Sequence, residues 1–456
     1  MRPTDDFLSK SAHATANKEQ RNAVYVHGQR YQEALGIARK QYKNEELAKD
    51  RAAYLKWKVT ENLDKYLIDF EATLMRRGGR VVWAHDAETA RKEILQLISK
   101  NGAQRVFKSK SMLSEEIELN SFLRGSSIEV IETDIGEYIV DVAAEAPFHM
   151  VNPAMHKTEK EIAGLLNAKI GTSMEADAEG ITSDVREIMR SYFSKAAIDV
   201  CITGANFLIA DSGMVAITEN EGNIRMITAL ANTHIVIAGI DKIIPTLNDI
   251  DTFFPLLATY GTGQKITSYN SVIGPKTPDD YDAPAEFIVV LIDNGRTNLL
   301  AQPDQRQALS CIKCGACANV CPVYQVIGGH AYGVNNSGPI GAVTQPHEQG
   351  LDEFKHLSYA SSLCGNCTQI CPMKIDLHNH LLRNRRDSVQ QGHAKSAEKL
   401  MWFSWKKMML SRKNMNKGAS IKNFMLKSFF KTAWGEDREF PKVAEKSFNQ
   451  IWKESH

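Results

Sequence analysis

Seven of the chain's eight cysteines fall between positions 311 and 371, in two runs: Cys311-x-x-Cys314-x-x-Cys317-x-x-x-Cys321-Pro322 and Cys364-x-x-Cys367-x-x-x-Cys371-Pro372. This rhythm suits cubane iron–sulfur clusters. Three thiolates from one tight loop take one cluster, and the fourth, just before a proline, crosses to the other. Applied here, the crossover assigns Cys311, Cys314, Cys317 and Cys371 to a first four-iron cluster and Cys321, Cys364 and Cys367 to a second. The second run opens on Ser361 where a cysteine would stand, so the second cluster has three thiolates. Its fourth iron is open to the Ser361 alkoxide, His356, His330, water or a partner's side chain, or is absent in a three-iron cluster. Electrons are the currency that such residues handle.

Other uses of the cysteines fit less well. Structural zinc takes four ligands in two short pairs, and disulfides belong to oxidising compartments. Gly315 and Gly365 follow ligands at tight bends, where a missing Cβ lets backbone N–H groups approach sulfur, and Pro322 and Pro372 fix φ at the exits. The eighth cysteine, Cys201, stands in an apolar stretch and reads as a small buried hydrophobe.

The elements that must hold these loops come from a chain of 456 residues, long enough for two or three domains, with 43% hydrophobic and 24% charged residues, as in ordinary globular proteins. No apolar run approaches the ~18 residues of a membrane span, and no apolar signal core follows the N-terminus, so the expected location is the cytoplasm. No GxGxxG turn, Walker loop or serine elbow points to NAD, ATP or hydrolase chemistry.

Four segments are expected: a helical arm over 1–50, an α/β domain over 51–300, the cysteine domain over 301–385 and a helical extension over 386–456. Arg51 to Arg77 lacks Pro and Gly and stops at Gly78-Gly79. Arg80 to Trp83 reads as a strand, and Asp86 caps a helix with Ala90, Ile94, Leu97 and Ile98 on one face. Further strands are expected at 105–108, 128–132, 207–210, 214–218, 234–240 and 287–293. Their alternation with helices, and their continuous apolar character, predict a mostly parallel sheet covered on both faces. Asp184 and Glu187 have capping-box spacing in the helical middle section. The glycine-rich connection from Gly328 to Gly341 reads as an ordered loop over the clusters, with a docking surface for an electron partner as the second reading.

After Met401 there are twelve Lys/Arg against five Asp/Glu, so the tail carries +7 and the rest of the chain −6. Trp402, Phe403, Trp405, Phe424, Phe429, Phe430 and Trp434 are interleaved with the basic residues. Packing on the ferredoxin-like domain or a partner subunit is preferred to an anionic membrane surface, and both are preferred to nucleic acid.

Several segments together closely resemble the lactate utilization protein B family. They are Asn152-Pro-Ala-Met-His156-Lys-Thr-Glu159, Thr203-Gly-Ala-Asn206, Asn220-Glu-Gly-Asn223, Cys311-Ile-Lys-Cys-Gly-Ala-Cys317, Gly328-Gly-His-Ala-Tyr-Gly333, Gly338-Pro-Ile-Gly341 and Ser362-Leu-Cys364. The resemblance implies a LUD-type α/β domain akin to the NagB/RpiA/CoA-transferase fold, a helical ferredoxin-type 4Fe-4S domain and a basic helical C-terminal extension. It further implies a co-catalytic or non-catalytic electron-transfer subunit of a flavin-independent complex oxidising L-lactate to pyruvate. The implied partners are a cysteine-rich-domain subunit and a second LUD-domain subunit, in the cytoplasm or peripherally at the inner face of the membrane. The seven-cysteine pattern matches the family by position, which implies two 4Fe-4S clusters, the second with a non-cysteine fourth ligand.

The competing expectation is a CoA- or acyl-transferase-like enzyme with structural or redox-sensing clusters. In CoA-transferase-like folds a glutamate at a Glu-Asn-Gly turn attacks a thioester. Here Thr218-Glu-Asn-Glu-Gly222 offers Glu219 or Glu221 with one residue too many. Lys108, Lys110, His149, His156, Asn206 and Arg225 supply residue types suited to a carboxylate substrate.

Overall fold

The computed structural model describes residues 2–171, 177–195, 198–276, 284–334, 336–394, 396–416, 418–429 and 442–456. The helix Leu63–Arg76 buries Leu63, Tyr66, Leu67, Phe70 and Leu74 and gives way at Gly78, whose φ of +90° suits glycine. The chain then enters β1 (Arg80–Ala84) and the helix Ala87–Lys100. Asp86 caps that helix by accepting from Thr89 N at 2.8 Å, and Ala90, Ile94, Leu97 and Ile98 are its buried face.

The remaining strands are β2 (Arg105–Lys108), β3 (Glu129–Glu132), β4 (Ile198–Gly204), β5 (Phe207–Ile209), β6 (Met214–Glu219), β7 (Ala231–Gly239), β8 (Ile243–Ile244), β9 (Tyr269–Ile273) and β10 (Glu286–Ile292). Six of them make a sheet in the order β1-β10-β7-β4-β2-β3, parallel at every pairing. Cys201 on β4 is fully buried, opposite His234 and Phe107. The expectation that 207–210 and 214–218 join the parallel sheet is corrected. β5 and β6 pair antiparallel in a second sheet, ordered β8-β5-β6-β9. A turn of four residues cannot make the crossover that parallel strands require.

A second correction concerns the middle section. Asp184 and Glu187 lie inside the helix Ala178–Lys195, whose first turn is instead capped by Asp177, accepting from Gly180 N at 2.8 Å. The capping box belongs to Thr158 and Glu161, at the start of the helix Glu159–Ile170.

The connection between the cysteine runs is more regular than a loop. It holds the helices Pro322–Ile327, Gly338–Glu348 and Leu351–Tyr359, and Pro339 sits in the first turn of the second, where its missing N–H costs nothing. Cys314, Cys317, Cys321, Cys367 and Cys371 belong to one apolar core with Phe253 and Tyr260 of the helix Ile250–Thr262 and Ile340 of the helix Gly338–Glu348. Tyr31 of the helix Lys18–Ala38 joins that core and donates to the Tyr260 carbonyl at 2.8 Å.

Residues 1–387 form one compact unit and 388–456 another. The second contains the helices Ser396–Met409, Ala419–Phe429 and Phe448–Ser455, on which Trp402, Phe403, Trp405 and Phe424 are exposed. Phe430 and Trp434 lie outside the described residues.

A β-carbon at Gly341 would lie 1.2 Å from the Asn336 carbonyl oxygen, a backbone atom that cannot turn aside. Gly341→Ala is therefore expected to cost at least about 3 kcal/mol, the upper range for overpacking. A urea midpoint within error of the unsubstituted protein would show that this contact does not hold the helix Gly338–Glu348 in place.

Candidate metal centre

The first cysteine run folds as a loop with two left-handed residues. Cys311 follows the 3-10 turn Arg306–Ser310, Lys313 has φ +57° and Gly315 has φ +78°, and Cys317 rides on the short helix Ala316–Asn319. The bend turns the Lys313 N–H back to donate to Cys311 Sγ at 3.3 Å. A β-carbon on Gly315 would lie 2.8 Å from the His149 ring, so both the backbone angle and the space call for glycine. Cys311, Cys314, Cys317 and Cys371 line one cavity, closed by apolar side chains that include Met150, Ile340, Ile375 and Leu377. Burial, and then the neighbouring Cys311, raise the Cys314 and Cys317 thiols. Cys371 is pushed up to about 12 by burial, with Cys311 adding to it.

The second group adjoins the first. Burial raises Cys321, with Cys364 adding to it, and pushes Cys367 up to about 11, with Cys321 and then Cys364 adding to it. Cys367 also contributes to the rise at Cys317, so the two groups approach one another there. The loop before Cys364 repeats the geometry of the first run: Leu363 has φ +56° and Gly365 φ +84°. Leu363 N donates to Ser361 Oγ at 3.1 Å, the counterpart of the Lys313 N–H on Cys311 Sγ. The serine oxygen thus takes the place of the first sulfur. Of the histidines considered as ligands, His330 is engaged through Nε2, whereas His356 is engaged through Nδ1 and keeps a buried Nε2 without a partner among the described residues. His330 Nε2 faces the Ala146 carbonyl at 2.7 Å, and His356 Nδ1 lies 3.0 Å from the Glu353 carbonyl.

All eight cysteines are free thiols. Four thiols in an apolar cavity cannot all ionise against their mutual repulsion unless a cation neutralises them, and a metal centre does so by deprotonating its ligands outright. The chemistry of this donor set fits iron–sulfur clusters.

A cleft of about 310 Å³ opens beside the first group. One wall is the carboxyl edge of the parallel sheet, with Lys110 beyond β2, Gly204 ending β4 and Gly239 ending β7; Ile312 and Lys313 of the cysteine loop form part of another. Ligand crevices in α/β sheets lie at this edge.

At the end of β7 the buried Arg296 donates from Nε to Asp241 Oδ1 at 2.8 Å and, through both terminal nitrogens, to the two oxygens of Glu116 at 2.9 Å each. A β-carbon at Gly239 would lie 2.3 Å from Asp241 Oδ1, so the strand must end in glycine for this network to close. Burial alone would raise both carboxylates. The Arg296 guanidinium overcomes it and holds Asp241 and Glu116 below the usual range.

The polar residues singled out from sequence divide. Lys110 lines the cleft and donates to the Val151 carbonyl; Asn206 lines it and accepts from Thr218 N at 2.8 Å. His149 packs on Gly315, and its Nδ1 accepts from Val151 N and Asn152 N, which leaves the proton on Nε2. Lys108 is an internal ion pair with Glu132 at 2.8 Å, His156 pairs with Glu145 at 2.9 Å, and Arg225 lies over the Tyr269 ring; none of these three lines the cleft.

Glu219 spends both oxygens on the start of the helix Asn223–Leu230, accepting from Ile224 N at 2.7 Å and Arg225 N at 3.1 Å. Glu221 accepts from Ile135 N and is pushed up to about 7 by burial, with Asp134 adding to it. Sequence reasoning passed over Glu116, Asp241, Lys242, Arg296 and Lys313. Only Lys313 carried a signal, through its place inside a ligand loop.

The LUD domain family matches residues 67–292 and the 4Fe-4S dicluster domain residues 307–375. "Lactate utilization protein B" of Geobacillus sp. (strain WCH70) is 40% identical over 408 residues, covering 86% of this chain and 85% of that protein. The protein of the same name from Bacillus cytotoxicus is 39% identical over 406 residues, with the same two coverages. A crystal structure of a DUF162 family protein from Deinococcus radiodurans is 12% identical with a TM-score of 0.29, over 50% of this chain and 98% of that one. Among the described residues no helix is long and apolar enough to cross a membrane.

Arg296→Met would strand two buried carboxylates and is expected to cost about 3–5 kcal/mol in urea unfolding at neutral pH. Because both carboxylates are held below their ordinary value of about 4, the network's contribution is complete at neutral pH. It is lost only as the pH falls through their lowered values. A loss under about 1 kcal/mol would mean that the pair is solvated in solution.

Proposed function

As the chain belongs to the lactate utilization protein B family, we propose that it is the iron–sulfur electron-transfer subunit of a system that oxidises L-lactate to pyruvate, so that lactate serves as a carbon source. The observation that carries this reading is the gathering of seven thiols into two adjoining groups, five of them inside one apolar core, Cys311 packed against it and Cys364 exposed at its edge. Cys311, Cys314, Cys317 and Cys371 hold a first 4Fe-4S cluster, and Cys321, Cys364 and Cys367 hold a second. Ser361 Oγ completes the second, supported by its occupying the register of Cys311 Sγ with the same backbone donor behind it. Bound there, the pair supplies one-electron storage and transfer at potentials tuned by hydrogen bonds and burial.

The chain's own part is to hold the sulfurs, to exclude water from the first group with Met150, Ile340, Ile375 and Leu377, and to direct the Lys313 N–H at Cys311. The catalytic step and the onward acceptor belong with the other subunits of the complex, one with a cysteine-rich domain and one with a second LUD domain.

Anaerobically purified protein is expected to contain about eight irons per chain in two four-iron environments by Mössbauer spectroscopy; fewer than about seven would count against two complete clusters. L-Lactate added with the partner subunits should produce the EPR signals of the reduced clusters, and Cys314→Ala combined with Cys371→Ala should abolish growth on L-lactate. Ser361→Cys should keep all the irons with an altered second-cluster signal, and Ser361→Ala should convert that signal to a three-iron type. An unchanged spectrum in both Ser361 variants would remove serine as the ligand, and normal growth of the double cysteine variant would remove the electron-transfer role.

A further inference from the structure

Two cations line the cleft beside the first thiol group without a direct acceptor among the described residues. Lys242 ends the 3-10 turn Ile240–Lys242 that follows β7, Lys313 belongs to the cysteine loop, and both line the cleft. Both lysines are half-buried, and among the described residues neither ammonium group has a hydrogen bond or a salt bridge. Cys311 and Glu348 lie near Lys313 and attract its charge, and three further charged groups of the cleft are tied. Arg296 is shared between Asp241 and Glu116, Lys110 is on the Val151 carbonyl, and Glu219 caps a helix. Asp241 attracts both lysines without a salt bridge to either, and its Oδ1 accepts from Arg296. Two ammonium groups that face one cavity with no direct protein acceptor form a receptor for an anion.

The rest of the lining restricts that anion. Asp134, Glu219 and Glu221 share the cleft and would repel a dianion such as phosphate. A monoanion puts its one charge at the lysines and turns an uncharged end towards the acids. Asn206 and Glu221 also line the cleft, each with one oxygen on a backbone N–H and polar atoms left over for such an end if it carries oxygen. We propose that this cleft binds a small monocarboxylate bearing a hydroxyl or oxo group, with the carboxylate held between Lys242 and Lys313. The inference rests on the proposed function only for the choice among such acids; the cavity and its two cations stand without it. Because the Lys313 peptide N–H reaches Cys311 Sγ, occupancy of the cleft is also felt at a sulfur of the first group.

The test uses the full chain, purified anaerobically, with its iron content checked in every sample. L-Lactate, pyruvate, acetate and inorganic phosphate are titrated by calorimetry, and the reduced protein's EPR spectrum is recorded with and without each. Saturable binding of lactate or pyruvate is expected, with acetate weaker, phosphate weakest and an altered first-cluster line shape on binding. Lys242→Met should weaken binding at least about tenfold with the iron content unchanged, the loss expected for one charge-assisted contact, and Lys242→Arg should restore part of it. The inference is overturned if iron-replete protein binds none of the acids, if phosphate binds as tightly as lactate and pyruvate, or if Lys242→Met leaves the affinity unchanged. None of these outcomes touches the electron-transfer reading, whose own failure would be missing iron or clusters that lactate and the partner subunits never reduce.

Discussion

Negative charge in an apolar interior is the constraint on which the rest of this molecule depends. Sulfurs that lie close together in a dry cavity resist ionisation, and burial raises Cys314, Cys317 and Cys371 before any neighbour adds to it. The surroundings are arranged around that difficulty. Left-handed turns at Lys313 and Gly315 bring backbone donors to the loop, and the helix Gly338–Glu348 closes the cavity from one side. Gly341 and Gly315 permit approaches that a side chain would block. The cysteine loops share one core with the N-terminal helices and the helix Ile250–Thr262, so the donor set is as rigid as the core that holds it.

The α/β portion contributes position more than ligands. Its parallel strands end together, and that edge faces the loop carrying Ile312 and Lys313. Arg296 fastens the end of β7 to Glu116 through Asp241, and Gly239 makes room for the three side chains to meet. The same charges keep the cleft polar while the neighbouring cavity stays apolar, two environments separated by one short stretch of backbone.

What could be read from residues alone follows the range over which each signal acts. The cysteine spacing, the Asp86 cap and the apolar face of the helix Ala87–Lys100 are local, and the structure keeps the cap and the face where the pattern puts them. Asp184 and Glu187 had the right spacing in the wrong place, since a cap needs a helix to begin there and that helix begins near Asp177. β5 and β6 have the composition of interior strands, and only the shortness of the turn between them marks a separate sheet. The stretch around Gly338 looked like a loop because of its glycines, yet one helix there begins at Gly338-Pro339. Lys242 and Arg296 are ordinary in sequence. Their meaning arises from strand ends far apart in the chain that converge, which no local pattern encodes.

The seven thiols are unequally sheltered. Cys364 is exposed, Cys311 is half-buried and the other five are buried. Dissolved oxygen, peroxide or a chelator arriving from solution therefore meets one corner of the assembly first, at the group that already has only three sulfurs. Damage to this protein should run in a fixed order, starting at Cys364, while the sheltered group beside the cleft outlasts it.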